Sequence, residues 1–141
     1  MMRIARMLAA IACALSLAAC SHVPTRDRSA PTSNAEKSRP TTEDYRRYIK
    51  GNVPAFSSAR VTDWESPDPT HVVVWTSPAE AYLLTLFGAC FGLKSASTIL
   101  LSADGGVVRP GAAAVMIGSE RCAIQFVDRL DARAMKADQV H

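Results

Sequence analysis

Apolar positions divide the chain into three. An uncharged, largely apolar run from Met7 to Ala19 is followed by a stretch, Ser21 to Thr41, with almost no apolar side chain. Short apolar segments separated by turn residues fill the remainder. In Thr42 to Gly51, Tyr45, Tyr48 and Ile49 recur at spacings of three and four. Thr41 or Thr42 can cap such a segment, Glu43 and Asp44 suit its positive end, and Lys50 with Gly51 suit its other end. The pattern predicts one short helix whose tyrosines plug a domain edge.

Beyond Pro54 the period becomes two. From Ser58 to Trp64, Ala59, Val61 and Asp63 oppose Arg60, Thr62 and Trp64, which reads as a strand. Glu65 to Thr70 (ESPDPT) reads as a loop, because its two prolines interrupt a hydrogen-bonded ladder. His71 to Thr76 (HVVVWT) and Glu80 to Phe87 (EAYLLTLF) are strands, the second apolar on both faces as in a covered central strand. Gly88 to Ala96 is glycine-punctuated and reads as a turn or one irregular helical turn. Thr98 to Leu101 is a short strand, and Asp104-Gly105 supplies the positive φ angles of a type I′ hairpin returning through Val107-Val108. Ala113 to Gly118 and Cys122 to Val127 form a last hairpin; the tail from Asp128 to His141 frays or adds a final helical turn. The expected fold is mainly β, with α+β as the alternative: a small antiparallel barrel or two-layer sheet of about six or seven strands and one short N-terminal helix. The expected boundaries are a cleaved leader over 1–19, a tether over 20–41, a globular domain over 42–131 and a tail over 132–141.

The leader changes the picture more than bulk composition does. Arg3 and Arg6 precede the apolar run, which is shorter than the roughly 20 residues a spanning helix needs. The pattern is that of a signal peptide. Leu17-Ala18-Ala19-Cys20 is similar to the bacterial lipobox, which implies cleavage before Cys20 and acylation of its thiol and new amino terminus. Several acyl chains exceed the two-signal threshold for stable anchoring. Ser21 stands at the sorting position, where serine rather than aspartate implies the periplasmic face of the outer membrane. The Ser/Thr/Pro-rich segment that follows cannot bury enough surface to fold, and as a coil it reaches about 25 Å. His22 belongs to that segment. The expected partners are therefore the membrane, through the anchor, and an envelope protein.

Charge then excludes a class. The formal charge of +3 includes Arg3 and Arg6, so removing the leader leaves 3 − 2 = +1. That is too little for electrostatic capture of nucleic acid. Of four cysteines, Cys13 leaves with the leader and Cys20 is the anchor. Cys90 and Cys122 remain as an even pair in an oxidising compartment, which reads as a disulfide. Neither sits in a Cys-x-x-Cys motif, and zinc would require two more ligands.

Catalytic chemistry has few carriers. His71 is the one histidine between the tether and the tail, and no Gly-x-Ser-x-Gly turn occurs. Asp63, Glu65 and Asp68 lack the alternate spacing and central glycine of a calcium loop and read as solvated loop charges. Asp104-Gly-Gly106 is turn chemistry rather than a phosphate cradle, Arg121 and Arg129 read as exposed charges, and His141 carries no signal. No catalytic residue, metal or cofactor is expected. The reading is a non-catalytic interaction or accessory domain. The alternative is a small-ligand binder with a pocket near Trp64, Trp75 and Tyr82, and an enzyme built on His71 and a neighbouring carboxylate comes third.

From Phe56 to Leu130 the chain resembles an uncharacterised bacterial domain-of-unknown-function family, number 6491. The resemblance rests on Trp64, the Tyr82 to Leu86 strand (YLLTL), Cys90 with Gly92-Leu93, and Cys122 in ERCAIQFVDRL. It implies a short exported protein or lipoprotein and brings no activity with it.

Overall fold

A computed structural model describes residues 39–139. The leader with Cys13, the lipobox with Cys20 and Ser21, His22, most of the expected tether and His141 lie outside that range.

A capping box starts α1 (Thr42–Arg46): the Asp44 carboxylate takes the Thr41 N–H at 2.9 Å, and the Asp44 N–H donates to the Thr41 hydroxyl at 3.4 Å. The helix ends after five residues, not at Gly51 as its periodicity predicts. Ile49–Asn52 is instead a strand, β1, with Ile49 opposite Leu130 and a register shift before Gly51 at φ 149°. So short a helix gains little from its own hydrogen bonds, and the sheet edge offers the chain better partners. Tyr45 is buried with Val73, Leu83 and Leu130 on the outer face of the sheet, and Tyr48 donates its hydroxyl to Asp138, so the tyrosines pack over central strands and α2 rather than plugging a domain edge.

The remaining elements are β2 (Phe56–Ser57), a 3-10 turn (Ser58–Arg60), β3 (Asp63–Asp68), β4 (His71–Ser77), β5 (Glu80–Leu86), a second 3-10 turn (Phe91–Ser95), β6 (Leu100–Ser102), β7 (Val107–Val108), β8 (Ala114–Ile117), β9 (Glu120–Leu130) and α2 (Ala132–Asp138). Seven strands make one curled antiparallel sheet in the order β3-β4-β5-β9-β8-β6, with β1 also on β9. The eleven-residue β9 holds it together: its first half pairs with β8, its second with both β5 and β1. A ribbon of β2 and β7 forms a second, two-stranded sheet.

Three differences from the expected elements have local causes. The Ser58–Trp64 segment is a 3-10 turn followed by a strand rather than one strand. The predicted loop ESPDPT largely belongs to β3. Pro67 is tolerated there because β3 is an edge strand whose register slips between Glu65 and Asp68. Val107-Val108 leaves the Asp104–Gly106 turn, whose glycines have φ of 59° and 74°, but pairs with Phe56-Ser57 instead of β6.

Both faces of the sheet are covered over most of its area. Val72, Val74, Tyr82, Leu84, Ile124 and Val127 point inward, beneath Phe56 and Val108 of the ribbon. Val73, Ala81, Leu83 and Leu130 point outward, beneath Tyr45 of α1 and Ala132 and Met135 of α2. Each large side chain sealed this way contributes about 1.5–3 kcal/mol. The tail, expected to fray or to add a final helical turn, is thus a packed helix. Asp131 caps it through the Ala134 N–H and pairs with Lys50 at 2.9 Å. Among the described residues no helix is long and apolar enough to cross a membrane.

Candidate functional site

Cys90 and Cys122 are joined, with Cα atoms 5.8 Å apart across a separation of 32 residues. The bond ties the segment after β5 to β9, and a second fastening lies beside it. The Glu120 carboxylate accepts the N–H of Phe91 at 3.0 Å and that of Gly92 at 2.8 Å, which orients the second 3-10 turn. A Cβ on Gly92 would lie 2.6 Å from that carboxylate and 3.0 Å from Ile117. Position 92 is therefore glycine because a carboxylate and a β-branched side chain press against its Cα. Leu93, next in the chain, is buried in the inner core. Cys90, Glu120 and Cys122 bring their ligating atoms within 4.8 Å of one another. In a reduced protein these could begin a metal site, but here the sulfurs bond each other and two amides occupy the carboxylate. The constellation is a clamp.

The second cluster surrounds Asp68. Its carboxylate accepts the Thr42 hydroxyl, the Thr70 N–H at 2.6 Å, the Thr70 hydroxyl at 2.7 Å and His71 Nδ1 at 2.9 Å. Partial burial pushes this carboxyl up, but the hydrogen bonds from Thr42, Thr70 and His71 together outweigh it and hold its pKa well below 3.8. Asp68 is thus not the solvated loop charge its sequence context predicts: it knots the start of α1 to the β3–β4 turn. The available signal is the Asx-turn it makes with Thr70, two residues on. The Thr70 hydroxyl reaches the same nitrogen of His71, at 2.9 Å. A nucleophile–base–acid relay needs hydroxyl and carboxylate on opposite ring nitrogens, so this arrangement is a hub rather than a triad.

Replacing Asp68 by asparagine should remove about 1 kcal/mol at neutral pH. A carboxyl depressed in the folded state contributes fully above its unfolded pKa and loses that contribution as pH falls through the folded value. Wild-type stability should therefore drop below about pH 4 more steeply than that of Asp68→Asn, as chemical denaturation across pH would read.

A groove of about 830 Å³ runs past this hub. Asp63, Trp64, Glu65 and Asp68 line one side, Leu93 and Lys94 the other, and Arg39 and Pro40 also reach it. Burial raises the pKa of the Glu65 carboxyl, opposed by the charge of Arg39. The three aromatics expected to share a pocket do not converge. Trp64 lines this groove, whereas Trp75 lies on the other face against Met135 and Lys136. Tyr82 is buried, stacks on Phe56 with ring centroids 4.5 Å apart, and donates its hydroxyl to Glu80 at 2.8 Å. Arg121 and Arg129 are exposed; Arg129 lies 3.7 Å from Glu80.

The third feature is apolar. The outer face is sealed by α1 and α2 at one end and left open at the other. Phe126 pairs with Thr85 on the face that carries Leu83, and it is 50% exposed. Phe87 follows β5 with its N–H still bonded to Ala123, and it is 63% exposed. Leu100 lies opposite Met116, which in turn pairs with Arg121. Phe91, on the clamped turn, is 80% exposed. The apolar pattern places Phe87 on a buried strand face and misses this surface, because nothing in the sequence marks where helical cover stops.

A family model described as a family of unknown function (DUF6491) matches residues 2–141. No curated protein and no solved structure matches. The residues that carry the family resemblance fall on the clamp (Cys90, Gly92, Leu93, Cys122), on the central strand (Tyr82 to Leu86) and on Trp64.

Proposed function

The chain belongs to this family of unknown function, and from that premise we propose a lipid-anchored, non-catalytic accessory domain of the bacterial envelope. The observation that carries the reading is exposed apolar surface: Phe87 and Phe126 at the open end of the outer sheet face and Phe91 on the clamped turn, while Asp68, His71 and Glu120 serve internal fastening. Exposed apolar surface on a folded domain marks a site of interaction with a protein or a membrane. The Leu17 to Cys20 motif supplies the anchor and Ser21 the outer-membrane address, on the periplasmic face. The disulfide between Cys90 and Cys122 accords with an oxidising compartment.

In cells fed labelled palmitate, the wild type should carry label and sediment with membranes. Cys20→Ser should lose the label and keep its leader uncleaved. Equal label in both chains would refute the anchor.

The groove at Trp64 favours a second reading, a tethered small-ligand binder, because an indole and several polar groups share one concavity. A small molecule retained through native purification of the wild type, and absent from Trp64→Ala, would decide for it.

A further inference from the structure

The chain enters α1 beside the β3–β4 turn, where Thr42 bonds Asp68, and that turn also bonds the backbone of Leu86 and Cys90, next to the exposed Phe87 and Phe91. Arg39 and Pro40, the first described residues, share a groove with Leu93 and Lys94 of the clamped turn. That turn carries Phe91, and it is fastened to the start of β9 by Glu120. Phe87 directly follows β5, three residues before Cys90, and its backbone bonds Ala123, three residues from Phe126. The chain from the anchor therefore reaches the domain beside its exposed phenylalanines.

We infer that this end rests on the lipid surface that holds the anchor, with Phe87, Phe91 and Phe126 in the interfacial zone. The inference rests on the lipoprotein reading above. The segment from Cys20 to Arg39 has an expected reach of about 25 Å, less than the roughly 30 Å width of a domain this size. A coil of that length, roughly 65 Å if fully extended, leaves the domain free to reorient but holds it at the bilayer and makes the encounter intramolecular, so that weak apolar affinity suffices. Lys94, three residues after Phe91, and Arg121, beside Glu120 at the start of β9, are exposed and can meet lipid phosphates.

The test uses the complete acylated protein in intact cells. Phe91, Phe126 or Ala79 is replaced, one at a time, by a photoreactive phenylalanine analogue. Ala79 is exposed in the β4–β5 turn, at the far end of β5 from Phe87, on the order of 25 Å away. After irradiation, adducts with the mass of a phospholipid should form at positions 91 and 126 in about tenfold excess over position 79. Adducts of protein mass, whether with another protein or a second copy of this chain, would overturn the contact. So would equal yields at all three positions, or no adduct at 91 and 126. Palmitate labelling of the same samples separates the two failures. Label present with no lipid adduct overturns the contact alone; label absent overturns the anchor on which it rests.

Discussion

Cys90→Ala combined with Cys122→Ala should lower the melting temperature by roughly 15 °C, with no change in where the protein is found. Closing a loop of 32 residues restricts the unfolded chain by about 3–4 kcal/mol on the loop-entropy account, and one kcal/mol moves a domain of this size by several degrees. That is a large share of a typical 5–15 kcal/mol stability. Replacing both residues avoids leaving a reactive thiol, and Cys90, fully buried, leaves only a small void as alanine. Calorimetry with and without a reductant checks the point. The wild type under reductant should approach the double variant, whereas a melting temperature indifferent to both treatments would remove the bond from the account.

Gly92→Ala should cost about 2–3 kcal/mol with the disulfide intact. The new methyl would meet Glu120 Oε2 at 2.6 Å and Ile117 at 3.0 Å. The carboxylate could swing away only by releasing the N–H groups of Phe91 and Gly92. Hydrogen bonds to a charged acceptor contribute about 1.5–3 kcal/mol, and overpacking adds to the loss. Backbone conformation does not confound the result, since Gly92 has no positive φ. Hydrogen exchange should show the turn Phe91–Ser95 opening faster in the variant, while β4 and β5 keep their protection. Glu120→Ala in the Gly92→Ala background should then cost little more, because the clamp is already released. Additive losses would mean the two residues do not act together.

These two results concern parts of the chain that differ in how legible they are. His71 to Ser77 and Glu80 to Leu86 are plain as strands, because runs of β-branched and apolar residues between turn signals have few other uses. The Asp104-Gly105 turn is equally plain, since positive φ angles demand those residue types. The disulfide follows from counting thiols once an oxidising compartment is assumed. What the sequence hides depends on partners distant along the chain. Tyr48 and Ile49 fit a helical face, yet β9 supplies hydrogen bonds from the far end of the domain and turns Ile49 into a strand residue. Pro67 signals a loop unless its strand is known to lie at an edge. Met135 and Ala132 look like tail until the sheet offers them a face. Glu120 carries no sign of its role, which exists only because Gly92 approaches it from 28 residues away. Trp64, Trp75 and Tyr82 group together as aromatics, but strand alternation sends Trp75 to the face opposite the other two. The leader and Cys20 lie outside the described residues, and the proposal for them rests on a local sequence pattern alone.

The intact mass of the protein extracted by detergent from its native membranes tests the central claim most directly. The account predicts a chain beginning at Cys20, heavier by a diacylglycerol and an amide-linked acyl group, and lighter by the two hydrogens lost in joining Cys90 to Cys122. A mass equal to the unmodified sequence from Met1, with both thiols free, would contradict it.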